Sequence, residues 1–137
     1  MSDSPSKSLV RTGVGAVAIV EAVFGFALLF AGAEVTTAVF GATVPEPFPS
    51  LLAAAFLGFA AMNWIARHNI LGGIYGRAVV AANQTHFVIG ALVLVKPLLT
   101  GMITAPRIVM AVFYFVGAGF FIRLLASPGL RSTGTDR

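Results

Sequence analysis

Four stretches of the chain stay apolar long enough to cross a bilayer, and the segments between them are rich in proline, glycine or charge. The first runs from about Thr12 to Ala33 and is interrupted only by Glu21. At 1.5 Å per residue it measures roughly 33 Å, close to a hydrocarbon core of about 30 Å. The other three cover residues 50–66, 75–95 and 107–126. Ala18, Gly25 and Gly32 recur every seven residues on one face of the first, a spacing that lets another helix approach closely.

The intervening residues predict where each helix stops. Pro45-Glu46-Pro47-Phe48-Pro49 forbids regular helix, while Pro49 suits the first turn of the second span. Residues 36–44, apolar and β-branched, are expected on the membrane surface or tucked against the bundle. His68 to Ile74 contains two consecutive glycines and reads as a tight turn between antiparallel neighbours. Lys96-Pro97 is expected to end the third span, because proline drives the preceding residue out of the helical region. Thr104-Ala105-Pro106-Arg107 reads as a cap followed by a first-turn proline. The prediction is an all-α fold, a four-transmembrane-helix up-and-down bundle over residues 9–127. Residues 1–8 are expected as a disordered cytoplasmic tail and residues 128–137 as a polar one.

Composition supports the membrane reading. Hydrophobic residues make up 58% of the 137 and charged residues 10%. A water-soluble chain this small has too little interior for that much apolar surface, so the surplus must face lipid. The formal charge of +4 does not suggest nucleic acid, because the basic residues sit at the ends of the spans. No cysteine is present, which removes disulfides and thiolate chemistry. The N-terminal apolar run is longer than a signal-peptide core and is expected to be retained.

Placing both termini inside puts Lys7, Arg11, Arg67, Arg77, Arg123, Arg131 and Arg137 in the cytoplasm. Lys96 and Arg107 are then outside with Glu34 and Glu46. Seven basic residues against two follow the positive-inside rule, and the expected location is a bacterial inner membrane.

Counting from the cytoplasmic arginines gives the depth of the polar residues. Glu21 lies ten residues from Arg11, His86 nine from Arg77 and Tyr114 nine from Arg123. Three helices thus bring a carboxylate, an imidazole and a phenol to within roughly 13–15 Å of that side. Asn83, one turn nearer the cytoplasm, and Asn63, about 6 Å from Arg67, form a shallower second tier. An ionised Glu at this depth costs about 3 kcal/mol on insertion scales, so Glu21 is expected to face other helices. Either the layer ties the bundle together, or Glu21 shares a proton with His86 or binds a polar ligand. Arg77 and Gln84 add polarity to the third helix, which is therefore expected to be the most buried of the four. The aromatics of the fourth are expected mostly to face lipid.

A second grouping lies nearer the cytoplasm. Arg67 and Arg77 bracket the turn, with Trp64 and Asn63 beside them. They read as an interfacial belt or as an anionic headgroup or phosphate site. No motif for phosphate binding, zinc or nucleophilic catalysis appears, no metal site is expected, and no cofactor is indicated.

At Asn63-Trp64-x-x-Arg67, followed by Tyr75-Gly76-Arg77, Asn83 and His86, the chain resembles small bacterial four-helix membrane proteins of the DoxX-like kind. The resemblance covers about residues 10–127 and implies the four-span fold, with accessory roles in respiration or redox chemistry as occasional associations. The leading expectation is a non-enzymatic membrane protein that binds a lipid or small apolar molecule or supports a complex. Membrane lipids are the expected partners, and a homo-oligomer through small-residue helix faces is possible. Two further readings remain: a proton-coupled carrier or channel using Glu21 and His86, and an intramembrane redox or isomerase-type enzyme using Glu21, His86 and Tyr114.

Overall fold

The structure is a computed structural model that describes residues 5–70 and 73–127. Five helices follow in chain order: α1 (Pro5–Phe30), α2 (Gly32–Phe40), α3 (Phe48–Ala66), α4 (Gly73–Leu99) and α5 (Ala105–Ala126). Four contain stretches long and apolar enough to cross a membrane: Lys7–Phe30, Phe48–Ala66, Tyr75–Leu99 and Ala105–Ala126. In no span is more than 33% of the apolar window buried inside the chain. The rest of that surface points outward as Ile, Leu, Val and Phe side chains, which suits contact with lipid. The protein is an all-α bundle with the build of a multi-pass membrane protein.

The bundle consists of two antiparallel pairs. Along α1 and α3, Gly15 lies beside Arg67, Gly25 beside Leu57 and Gly32 beside Pro49. A Cβ on Gly25 would come within 2.8 Å of Leu57, and one on Gly32 within 2.6 Å of Pro49, so both glycines permit a close approach. The face carrying Ala18, Gly25 and Gly32 is therefore occupied by α3 of the same chain. Along α4 and α5 the fit is reciprocal: a Cβ on Gly90 would overlap the Tyr114 ring, and one on Gly117 the Phe87 ring. Each helix offers the other a ring and a notch. Phe87, fully buried, sits among the rings of Phe113, Tyr114 and Phe121. The fourth-span aromatics therefore turn inward more than expected: Phe121 and Tyr114 are buried and Phe113 and Phe120 half-buried, whereas Phe115 faces out. Nor is α4 the most buried span, because Arg77 is exposed and Gln84 only half-buried.

Several element limits differ from the sequence expectation. Helix α1 begins at Pro5, so the expected tail is already helical at its fifth residue; residues 1–4 and 128–137 lie outside the described residues. The first span ends at Phe30 rather than Ala33, because Ala31 leaves the helical region (φ −138°, ψ 42°). The amide of Ala31 still donates to the Ala27 carbonyl (2.8 Å), and its carbonyl accepts from Val35 (2.9 Å). The chain thus turns sharply into α2 without losing its hydrogen bonds. Helix α2 tucks against the bundle, burying Thr36 and Val39, and stops at Gly41, whose φ of 78° favours glycine. Lys96-Pro97 does not end the third span: α4 continues to Leu99 with Pro97 inside it. Pro97 falls in the last turn, and its carbonyl, left without a helical donor, accepts from Met102 N and from the Thr100 hydroxyl, each at 3.0 Å. Thr104 caps α5 as expected, accepting from Arg107 N.

Candidate functional site

Among the described residues, helix α1 carries one polar side chain into the interior of the bundle. Glu21 has no exposure, and neither has Asn63 of α3 or Asn83 of α4. Asn63 Nδ2 donates to Glu21 Oε2 and to Asn83 Oδ1, both at 2.8 Å. Asn83 Nδ2 donates back to Asn63 Oδ1 (2.7 Å) and to the Val79 carbonyl of its own helix (2.9 Å). The two amides form a reciprocal pair, and the carboxyl group of α1 is fastened to one end of it. This ties together three helices at a depth where water is scarce, so the polar groups must satisfy one another. Glu21 Oε1 is the exception: it is buried and has no hydrogen-bond partner among the described residues.

His86 and Tyr114 form the second polar pair. The Tyr114 hydroxyl and His86 Nε2 share a hydrogen bond of 3.2 Å between α4 and α5. The imidazole is stacked on Phe59 (centroids 4.4 Å apart, 25° between planes) and met edge-on by Phe56 and Phe87. Rings on its flanks fix its orientation, and its one hydrogen bond is to the phenol. Glu21 and His86 thus belong to separate hydrogen-bonded groups, the carboxyl held by Asn63 and the imidazole by Tyr114.

The four residues expected in a buried polar layer (Glu21, Asn83, His86 and Tyr114) all lie inside or half inside the bundle. Of those expected as a headgroup site, Arg67 and Trp64 lie against each other, while Asn63 and Arg77 lie elsewhere. Asn63 belongs to the interior network, whereas Arg67 is half-buried, Trp64 is 48% exposed and Arg77 is exposed on α4. The Arg67 guanidinium lies 3.6 Å over the Trp64 ring and donates to the Trp64 carbonyl.

A cavity of about 170 Å³ lies on the far side of this layer from Arg67. All five helices line it: Phe24, Val39, Phe40, Leu52, Phe56, Gly90, Val93, Leu94, Met110 and Tyr114. Tyr114 alone brings a hydroxyl to an otherwise apolar wall. Helix α2 forms one side of the cavity through Val39 and Phe40, and Arg107 holds α2 in place. Arg107 is only 2% exposed; its Nε donates to the Val39 carbonyl at 2.8 Å and its Nη1 to the Met102 carbonyl. Thr104 adds a bond from its hydroxyl to the Ala38 carbonyl at 3.2 Å. The last carbonyls of a helix have no partner within it and carry its negative end, so a guanidinium completes them well. Sequence reasoning took Arg107 for a topology charge. The signal that could have found it was the apolar segment 36–44, which had to end somewhere near a donor.

Among the described residues no group of three His, Cys, Asp or Glu side chains is placed to hold a metal ion. Comparison with family models, with curated proteins and with solved structures finds no match to this chain.

Proposed function

We propose that the chain is a non-enzymatic membrane protein that holds a small apolar molecule in the cavity beneath α2. The observation that carries this is the cavity itself: it is apolar, lined by every helix, and bounded at one point by the hydroxyl of Tyr114. A space of this size is large enough to take a molecule the size of benzene, and it opens to the surroundings beside the exposed Phe40 and Val93. Orientation of both termini to the cytoplasm of a bacterium, and kinship with DoxX-like proteins, belong to the same proposal and rest on the charge pattern and on the residues from Asn63 to His86.

Native mass spectrometry of protein extracted in mild detergent tests the reading. Wild type is expected to carry a small apolar adduct, and Leu52→Trp, which fills the cavity from a half-buried wall position, to lose it while keeping its helical circular dichroism. An adduct that survives the substitution, or wild type that carries none, rejects the reading.

A second reading has one observation in its favour. A buried carboxyl oxygen without a partner among the described residues, in the same bundle as a His–Tyr pair, suits a group that takes up and passes on a proton. Proton flux into proteoliposomes, compared between wild type and Glu21→Gln, tests it: equal flux rejects proton coupling.

A further inference from the structure

A different feature lies on the outside of the bundle. Between α1 and α3 runs a groove of about 340 Å³ lined by Ala18, Ala22, Leu57, Ala60, Ala61 and Trp64. From Leu57 to Trp64 it extends roughly 10 Å along α3, about two-thirds of the hydrocarbon depth of one leaflet. Apart from the indole N–H, its side chains offer only carbon. One end is different. There the Arg67 guanidinium lies 3.6 Å over the Trp64 ring, one of its nitrogens held by the Trp64 carbonyl. Its stem crosses toward α1, with Cδ 3.6 Å from where a Cβ on Gly15 would sit. The arginine stem thus packs against α1 at Gly15, over the end of the groove. Arg11 lies one turn further along the same face of α1.

We propose that this groove binds one acyl chain of an anionic phospholipid, with the headgroup phosphate on Arg67. A guanidinium held over an indole ring still has N–H groups beyond the one that the Trp64 carbonyl takes, and their fork matches the oxygens of a phosphate. The groove supplies apolar depth and the arginine supplies a fixed positive charge at the level where the headgroup begins. A helix from a second copy of the chain would fill the alanine-lined part but would bring no anion to Arg67. Charge complementarity therefore selects the lipid.

Trp64 is the only tryptophan in the chain, and it forms part of the proposed site, so its fluorescence reports occupancy directly. The protein is reconstituted in phosphatidylcholine nanodiscs containing a minor fraction of acyl-brominated phosphatidylglycerol or, in parallel, acyl-brominated phosphatidylcholine. Brominated phosphatidylglycerol is expected to occupy the site about fivefold more than its zwitterionic counterpart, the enrichment one basic residue gives at a membrane surface. Arg67→Gln is expected to remove the difference between the two lipids. Ala61→Phe, which fills the groove and leaves Arg67 in place, is expected to reduce quenching by phosphatidylglycerol toward the bulk level. Equal quenching by both lipids in wild type overturns the proposal, as does a preference that survives both substitutions. Absence of quenching by either lipid, the result if a second copy covers Trp64, also overturns it.

Discussion

Arg107 and Glu21 are both withdrawn from the surroundings, at 2% and 0% exposure, yet they are accommodated in opposite ways. Arg107 sits where α2 ends and meets carbonyls that have no helical partner, so its donors find acceptors already in place. Glu21 lies in mid-helix, where every neighbouring backbone group is engaged. Its partner has to be a side chain from another helix: Asn63 reaches one oxygen, and the other has none among the described residues. Completing a buried polar group is easy beside a helix end and difficult beside a helix middle. An incomplete group in such a place marks a candidate for function, whereas a complete one marks a structural clasp.

The comparison is tested most severely by Arg107→Met. Two charge-assisted bonds disappear and two carbonyls lose their donor, so a loss of about 3–5 kcal/mol is expected in the unfolding free energy measured in detergent. Arg107→Lys should recover only part of it, since one ammonium does not reproduce the fork of donors. A smaller loss, about 1–3 kcal/mol by the same measurement, is expected for Gly117→Ala, because the added methyl drives the Phe87 ring out of its notch. Asn63→Leu removes the amide from the centre of the network. Side-chain hydrogen bonds between membrane helices average about 0.6 kcal/mol, so a cost of about 1–2 kcal/mol is expected. A cost matching that of Arg107→Met would break the comparison and make the network a clasp as well. Glu21→Gln should change stability least, by under about 0.5 kcal/mol, because the Gln carbonyl still accepts from Asn63. Any larger effect on adduct mass or proton flux in that variant then reports on function.

Much of the interior could be read from spacing. Glu21, His86 and Tyr114 were placed at one level by counting residues from Arg11, Arg77 and Arg123, since a helix rises by a constant amount per residue. Depth does not give direction around the axis. Spacing puts Asn63 in one tier with Asn83 and also beside Arg67; its amide turns to Glu21 and Asn83, while Arg67 lies over Trp64. Pro97 was expected to end a helix, yet carbonyls in the last turn find donors in Thr100 and Met102. Segment 36–44 was left with two possible positions, and so the role of Arg107 stayed hidden.

By itself the amino-acid sequence determined that four apolar helices form, roughly where they end, and that the polar side chains of different spans fall at similar counts along them. These follow from hydropathy, from proline and glycine, and from a fixed rise per residue. Only the tertiary structure decided which helices pair, that α2 folds back under the hold of Arg107, and that Glu21 meets an amide pair instead of an imidazole. Those choices depend on how helices are turned about their axes, and that is set by rings fitting into glycine notches between segments far apart in the chain.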